Sequence, residues 1–118
     1  MLYVLYGTDQ KKAREKLHRL TESLFGKKPN ASFTYIDDES FSKGHLESLI
    51  AGQGLFETRQ VVVLSNIFKN SEAKEFFLLC RKDINLSSNI FFLLEGGLDK
   101  ATVLKLQKVS EKVELFGE

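Results

Sequence analysis

The sequence predicts an α/β domain: a five-stranded parallel sheet with helices on both faces, a three-layer, Rossmann-like sandwich. Three observations predict it. Short apolar runs alternate with segments of helical period along all 118 residues. Two of those runs, Gln60–Leu64 (QVVVL) and Ile90–Leu94 (IFFLL), are apolar at almost every position, the composition of strands buried on both faces. Alternation of strand and helix then specifies a parallel sheet, and right-handed crossovers restrict it to a doubly wound topology.

Each element has its own signal. Leu2–Tyr6 (LYVLY) is apolar and aromatic and ends at Gly7, a first strand. Thr8 or Asp9 supplies a side-chain oxygen to cap a helix from Asp9 to about Phe25, in which Ala13, Leu17, Leu20 and Leu24 recur at helical spacing. Gly26 stops that helix, and Pro29 and Asn30 form the loop. Ser32–Ile36 (SFTYI) is a second strand running into the acidic turn Asp37, Asp38, Glu39. Ser42–Ala51 is a short helix burying Leu46, Leu49 and Ile50, ended by Gly52 and Gly54. Gln60–Ser65 is the third strand. Asn70 or Ser71 caps a helix through about Lys82 with Phe76, Phe77 and Cys80 inward, and Ile90–Leu94 is the fourth strand. After Gly96 and Gly97, Asp99 or Lys100 opens a helix to about Ser110, and Lys112–Phe116 is the fifth strand.

Composition limits the function classes. A chain of this length is one domain, 1–118, able to bury roughly two thirds of its unfolded surface. The net charge of +1 gives no global field toward nucleic acid or an anionic membrane. A lone cysteine, Cys80, fits a reducing compartment, and no apolar run approaches the roughly 20 residues of a membrane span. The opening MLYVLYG has no basic leader and no small-residue cleavage site, so the expected location is cytoplasmic.

In such folds ligands bind beyond the carboxyl ends of the strands. A phosphate-binding loop there needs GxxxxGK[ST], in which glycines let backbone amides close on phosphate and the lysine reaches it. Counting from Gly7, Lys12 stands where the second glycine belongs, Ala13 where the lysine belongs and Arg14 where the hydroxyl belongs. No GxGxxG is present, and the third strand ends in Ser65 and Asn66 rather than in magnesium-binding acids. An ATPase is therefore excluded at two positions, and a phosphoacceptor aspartate is missing at the same strand end. Asp37, Asp38 and Glu39 are hard oxygen donors, yet an exposed acidic turn reads first as solvated. His18 and His45 lie on different helices without further ligands at metal spacing, and Cys80 reads as a small core residue. No nucleophile–base pair can be named from the sequence, so no catalytic site, cofactor or metal is expected. Lys11, Lys12, Arg14, Lys16 and Arg19, with Lys27 and Lys28 beyond, could touch a phosphate backbone, but a solvated helix face is the simpler reading.

One stretch resists absorption into the core. In GQGLFETRQVVVL, Leu55 and Phe56 are large apolar neighbours between glycine and the polar residues Glu57, Thr58 and Arg59. Adjacent residues point in different directions, so one core face does not take both. They pack under a loop or form a plug for a pocket on a partner.

Four features together resemble the amino-terminal domain of the delta subunit of bacterial DNA polymerase III, a clamp-loader component. They are the opening LYVLYGTDQ leading to a helix that carries Glu15, the Leu-Phe pair and arginine before the third strand in GLFETRQVVVLSNI, the stretch NIFFLLEGGLDKATVLKLQK, and the closing KVELFG. Their order and spacing span nearly the whole chain. The resemblance implies an AAA+-like domain with a degenerate P-loop, no catalytic site of its own, and a role in DNA replication within the polymerase holoenzyme. It implies that Leu55 and Phe56, with Gln53 and Gly54 beside them, enter a hydrophobic pocket of the sliding clamp. Contact with DNA would be indirect, and other loader subunits would be partners only through further domains. Gly52 stands three residues before Leu55, where many clamp-binding peptides carry glutamine, and Gln53 follows one residue later. The helical second domain and collar of delta subunits lie outside these 118 residues. The alternative reading is a small-ligand or nucleotide-binding α/β domain using the acidic turn and the carboxyl-end crevice.

Overall fold

The computed structural model describes residues 1–25, 32–52 and 59–117. Its elements are β1 (Leu2–Tyr6), α1 (Gln10–Phe25), β2 (Ser32–Asp37), α2 (Lys43–Ala51), β3 (Gln60–Ser65), α3 (Ser71–Leu86), β4 (Ile90–Glu95), α4 (Lys100–Gln107) and β5 (Lys112–Leu115), with a 3-10 turn at Ile67–Lys69. The five strands form one all-parallel sheet in the order β2-β3-β4-β1-β5. The α/β sandwich expected from the sequence is present.

The order fixes where the helices sit. The connection from β1 to β2 passes β4 and β3 in one direction, whereas the other three connections run in the opposite direction. Right-handed crossovers therefore put α1 on one face and α2, α3 and α4 on the other. The two cores agree. Leu46 and Leu49 of α2, Phe77 and Ile84 of α3 and Leu106 of α4 pack with Leu2, Val4, Val62 and Phe91. Ala13 and Leu17 of α1 pack with Leu5, Val61, Val63 and Phe92. Covered on both faces, β3 and β4 are buried almost throughout, which is why both read as continuous apolar runs. Phe77, Phe91 and Phe92 are fully buried, each worth about 1.5–3 kcal/mol of apolar transfer.

The helix starts follow from caps. Asp9 Oδ1 accepts from Lys12 N at 3.1 Å, Ser42 Oγ from His45 N at 3.2 Å and Asp99 Oδ1 from Thr102 N at 2.7 Å. The Asn70 side chain accepts from both Glu72 N and Ala73 N. Each satisfies amides that the first helical turn leaves without a partner. Some boundaries differ from the sequence reading. Helix α3 runs a turn past Lys82 because Ile84 buries its side chain completely. Helix α4 stops at Gln107, where Val109 N and Ser110 N turn back to Leu106 O. On α3 only Phe77 is fully inside, while Phe76 and Cys80 are half-buried. Among the described residues no helix is long and apolar enough to cross a membrane.

Candidate functional site

The Gln53, Gly54, Leu55 and Phe56 site lies outside the described residues, but both of its stems lie within them. The first stem is the carboxyl end of α2. Gly52 adopts a left-handed conformation (φ 67°) and donates its amide to Ser48 O, closing the helix. The second is the amino end of β3, beginning at Gln60.

One short turn, Ser87–Asn89, holds both. Asn89 is 1% exposed. Its Nδ2 donates to Leu49 O at 2.7 Å and its Oδ1 accepts from Gln60 N at 2.9 Å, so a single amide ties the two stems together. Ser87 Oγ donates to Ile50 O at 2.8 Å and accepts from Asn89 N at 3.2 Å. These bonds satisfy two carbonyls that the last turn of α2 would otherwise leave orphaned. The fit is close: a Cβ at Gly52 would lie 3.1 Å from Asn89 Nδ2 and 3.2 Å from Ser88 Oγ. The stems therefore leave the fold at the amino ends of the strands. Beside them, α3 presents Leu79 and Leu86, 79% and 81% exposed and two turns apart on one helix face.

The opposite pole holds the crevice in which an α/β ligand would bind. Strands β1 and β4 are neighbours whose following helices lie on opposite faces, the geometry of a switch point. Here backbone donors of the junction bond within the chain. Gly7 N donates to Glu95 O and Gly96 O, and Asp9 N donates to Phe116 O at 3.0 Å. Gln10 Nε2 donates to Gly7 O at 2.6 Å and Glu95 O at 3.0 Å. Gly7 has φ 126°, and a Cβ there would lie 2.0 Å from Phe116 O, so only glycine lets the last segment approach the first loop this closely. The amides of Gly7, Asp9 and Lys12, in the segment where a phosphate loop would present donors, are bonded within the protein.

Glu95, at the end of β4, is 4% exposed. Burial pushes its carboxyl up to about 7, against the opposing pull of the Phe68 and Ile67 amides. Oε2 accepts from Phe68 N at 3.3 Å, so the carboxyl caps the 3-10 turn. Asn66 precedes that turn in a left-handed conformation (φ 55°) and donates its amide to Leu94 O at 2.8 Å. The side chain of Ser65 is buried beside it.

The acidic turn is a self-contained device. Asp37 Oδ1 accepts from Glu39 N at 3.0 Å and Ser40 N at 2.8 Å, and the Ser40 bonds hold its carboxyl below the usual carboxylate range. Its lone pairs are used to shape the turn. His18 pairs with Glu22 at 3.1 Å on the exposed side of α1, and His45 is exposed on α2. Among the described residues no three His, Cys, Asp or Glu side chains could share a metal ion. Burial, with Asp83 and Glu47 adding to it, pushes the Cys80 thiol up, away from the reactive thiolate. Lys11, Lys12, Arg14 and Arg19 are exposed along α1.

Sequence reasoning missed Asn89 and Glu95. Asn89 follows Ser87 and Ser88, and such a run before a strand reads only as turn. Glu95 differs from an ordinary strand-end acid solely through its neighbours in space. No protein-family model matches this chain, and no curated protein matches it.

Proposed function

We propose that this chain is a non-catalytic clamp-binding domain of the DNA replication machinery, which inserts Leu55 and Phe56 into an apolar pocket of a sliding clamp. What carries the reading is the Leu-Phe pair on a short segment, 53–58, whose two stems are tied to one another through Asn89. A plug held at its root loses less conformational freedom on binding than one on a long tether. The order of the four sequence features supports the same reading. Insertion of two large apolar side chains supplies on the order of 3–5 kcal/mol before ordering costs. Such a domain helps open a ring-shaped clamp only by the difference between its affinities for the open and closed forms.

The competing small-ligand reading has less support. The crevice amides of Gly7 and Asp9 are bonded internally, and the Asp37 carboxylate is committed to its own turn. The test is calorimetric titration of this domain into the sliding clamp of its own organism, beside the Leu55→Ala/Phe56→Ala variant. Saturable binding by the parent, and none by a variant with unchanged circular dichroism, is the expected result. Equal binding by both proteins would remove the plug from the mechanism.

A further inference from the structure

The two edges of the sheet are built differently. The β5 edge is short, four residues, and carries Lys112 and Glu114 paired at 3.1 Å. Charge and brevity are standard protections against strand addition. The β2 edge is longer, six residues, and its one charge is Asp37 at the last position. Ser32–Asp37 pairs with β3 at six consecutive positions without a bulge, and from Ser32 to Ile36 it contains no charge and no proline.

Its outer surface is also apolar. Phe33 and Tyr35 are 57% and 55% exposed, whereas Ile36, on the other face of the strand, is 2% exposed. The two rings lie on one face, in register with Val61 and Val63, which pack in the core under α1. The cover supplied by α1 thus ends at β3. The backbone is oriented to match. Asp37 N turns away from the ladder to Ser40 Oγ at 2.9 Å, and the two-residue period directs the N–H and C=O groups of Phe33 and Tyr35 toward the same outer side.

We infer that β2 is a self-association edge, pairing antiparallel with β2 of a second copy about a two-fold axis at Thr34. That axis sets Phe33 directly opposite Tyr35 of the other copy, on the same sheet face, and sets Tyr35 opposite its Phe33. The residues whose amides face outward are the ones that then exchange hydrogen bonds. The aromatic pair is its own complement under the symmetry that homodimers use most. A five-stranded sheet would become a continuous ten-stranded one. The contact is small, below the roughly 1,200 Å² of standard interfaces, so the dimer is weak and depends on concentration. This inference stands apart from the clamp-binding reading and uses none of its residues.

Sedimentation equilibrium from about 10 μM to about 1 mM, a range suited to weak association, tests it. The average mass of the parent should climb from 13.4 kDa toward twice that value. Phe33→Lys/Tyr35→Lys, folded by circular dichroism, should stay at the monomer mass throughout. Register is tested separately in a Cys80→Ser background by mixing a Phe33→Cys protein with a Tyr35→Cys protein under mild oxidation. The facing pair, with Cα atoms about 5.5 Å apart, should cross-link. Phe33→Cys alone should not, because its two copies lie diagonally, about 7–8 Å apart, past disulfide reach. A monomeric parent at the highest concentration would overturn the inference. So would a lysine variant that associates like the parent, or cross-linking by Phe33→Cys alone that equals the mixture.

Discussion

Replacing Glu95 with glutamine should make the protein more stable at pH 8 and flatten its stability across the neutral range. The carboxyl is 4% exposed at the end of β4, and burial raises it from 4.5 to about 7 in the folded chain. Below pH 4.5 both folded and unfolded chains hold the proton, and the contribution of the group is complete. Between pH 4.5 and 7 the unfolded chain has released it while the folded chain has not, so stability falls as pH rises. The gap of 2.5 units, at 1.36 kcal/mol each, amounts to about 3 kcal/mol lost by pH 8. Glutamine has no proton to lose, and its carbonyl oxygen can still accept from Phe68 N, so it mimics the neutral carboxyl. Asp37 and Asp99 are both held below 3.8, so their own losses fall at more acid pH and leave this window clear. The assay is urea unfolding of parent and variant at half-unit steps from pH 4.5 to 8.5. The difference between the two stabilities should change by about 3 kcal/mol in favour of the variant as pH rises. Parallel curves would refute the reasoning, for they would mean that Glu95 ionises in the folded protein as it does in water. The sign is diagnostic, since most substitutions at a buried position destabilise.

Three further perturbations probe other parts of the fold. Asn89→Ala strands Leu49 O and Gln60 N and should cost about 2–5 kcal/mol in urea unfolding; faster hydrogen exchange at Gln60 N would localise the loss to the stem of β3. Gly7→Ala places a Cβ 2.0 Å from Phe116 O at φ 126° and should destabilise by about 2 kcal/mol or more; an unchanged unfolding midpoint would disprove the close approach of the last segment. Phe77→Ala removes a fully buried ring set edge-on to Phe68 at 5.7 Å between centroids and should cost about 3–5 kcal/mol, read from thermal or urea unfolding.

The sequence announced elements whose cause is local and was silent where the cause lies elsewhere in space. QVVVL and IFFLL were legible because a central parallel strand must be apolar on both faces, and β3 and β4 are two of the three strands flanked by strands on both sides. The period of Ala13, Leu17 and Leu20 was legible because, among the described residues, α1 is the one helix on its face. SFTYI has the same composition as a buried strand, yet Phe33 and Tyr35 stand in solvent. Nothing in the string says that β2 is an edge, since edge position follows from a crossover past two strands. The 3-10 turn at Ile67–Lys69 was invisible for a similar reason. Its amides are capped by Glu95, 27 residues away from Phe68. Asn89 reads locally as a turn residue, and its function as a clamp depends on Leu49 and Gln60, 40 and 29 residues distant. The Leu55–Phe56 pair stood out as an apolar pair that no periodicity could place, and it lies outside the described residues.

The two poles of this sheet divide the physical possibilities between them. At the carboxyl pole, the amides of Gly7 and Asp9 in the first loop bond to Glu95 O, Gly96 O and Phe116 O, and the buried carboxyl there serves a turn. An anion entering would have to displace Phe116 O from Asp9 N and would meet Glu95, which carries a negative charge once ionised. At the amino pole, the carboxyl end of α2 and the amino end of β3 are tied to one another by the buried Asn89, and α3 exposes Leu79 and Leu86. Polar groups are satisfied at this root, which would give the proposed plug a fixed base. This asymmetry is why the proposed function is one of recognition.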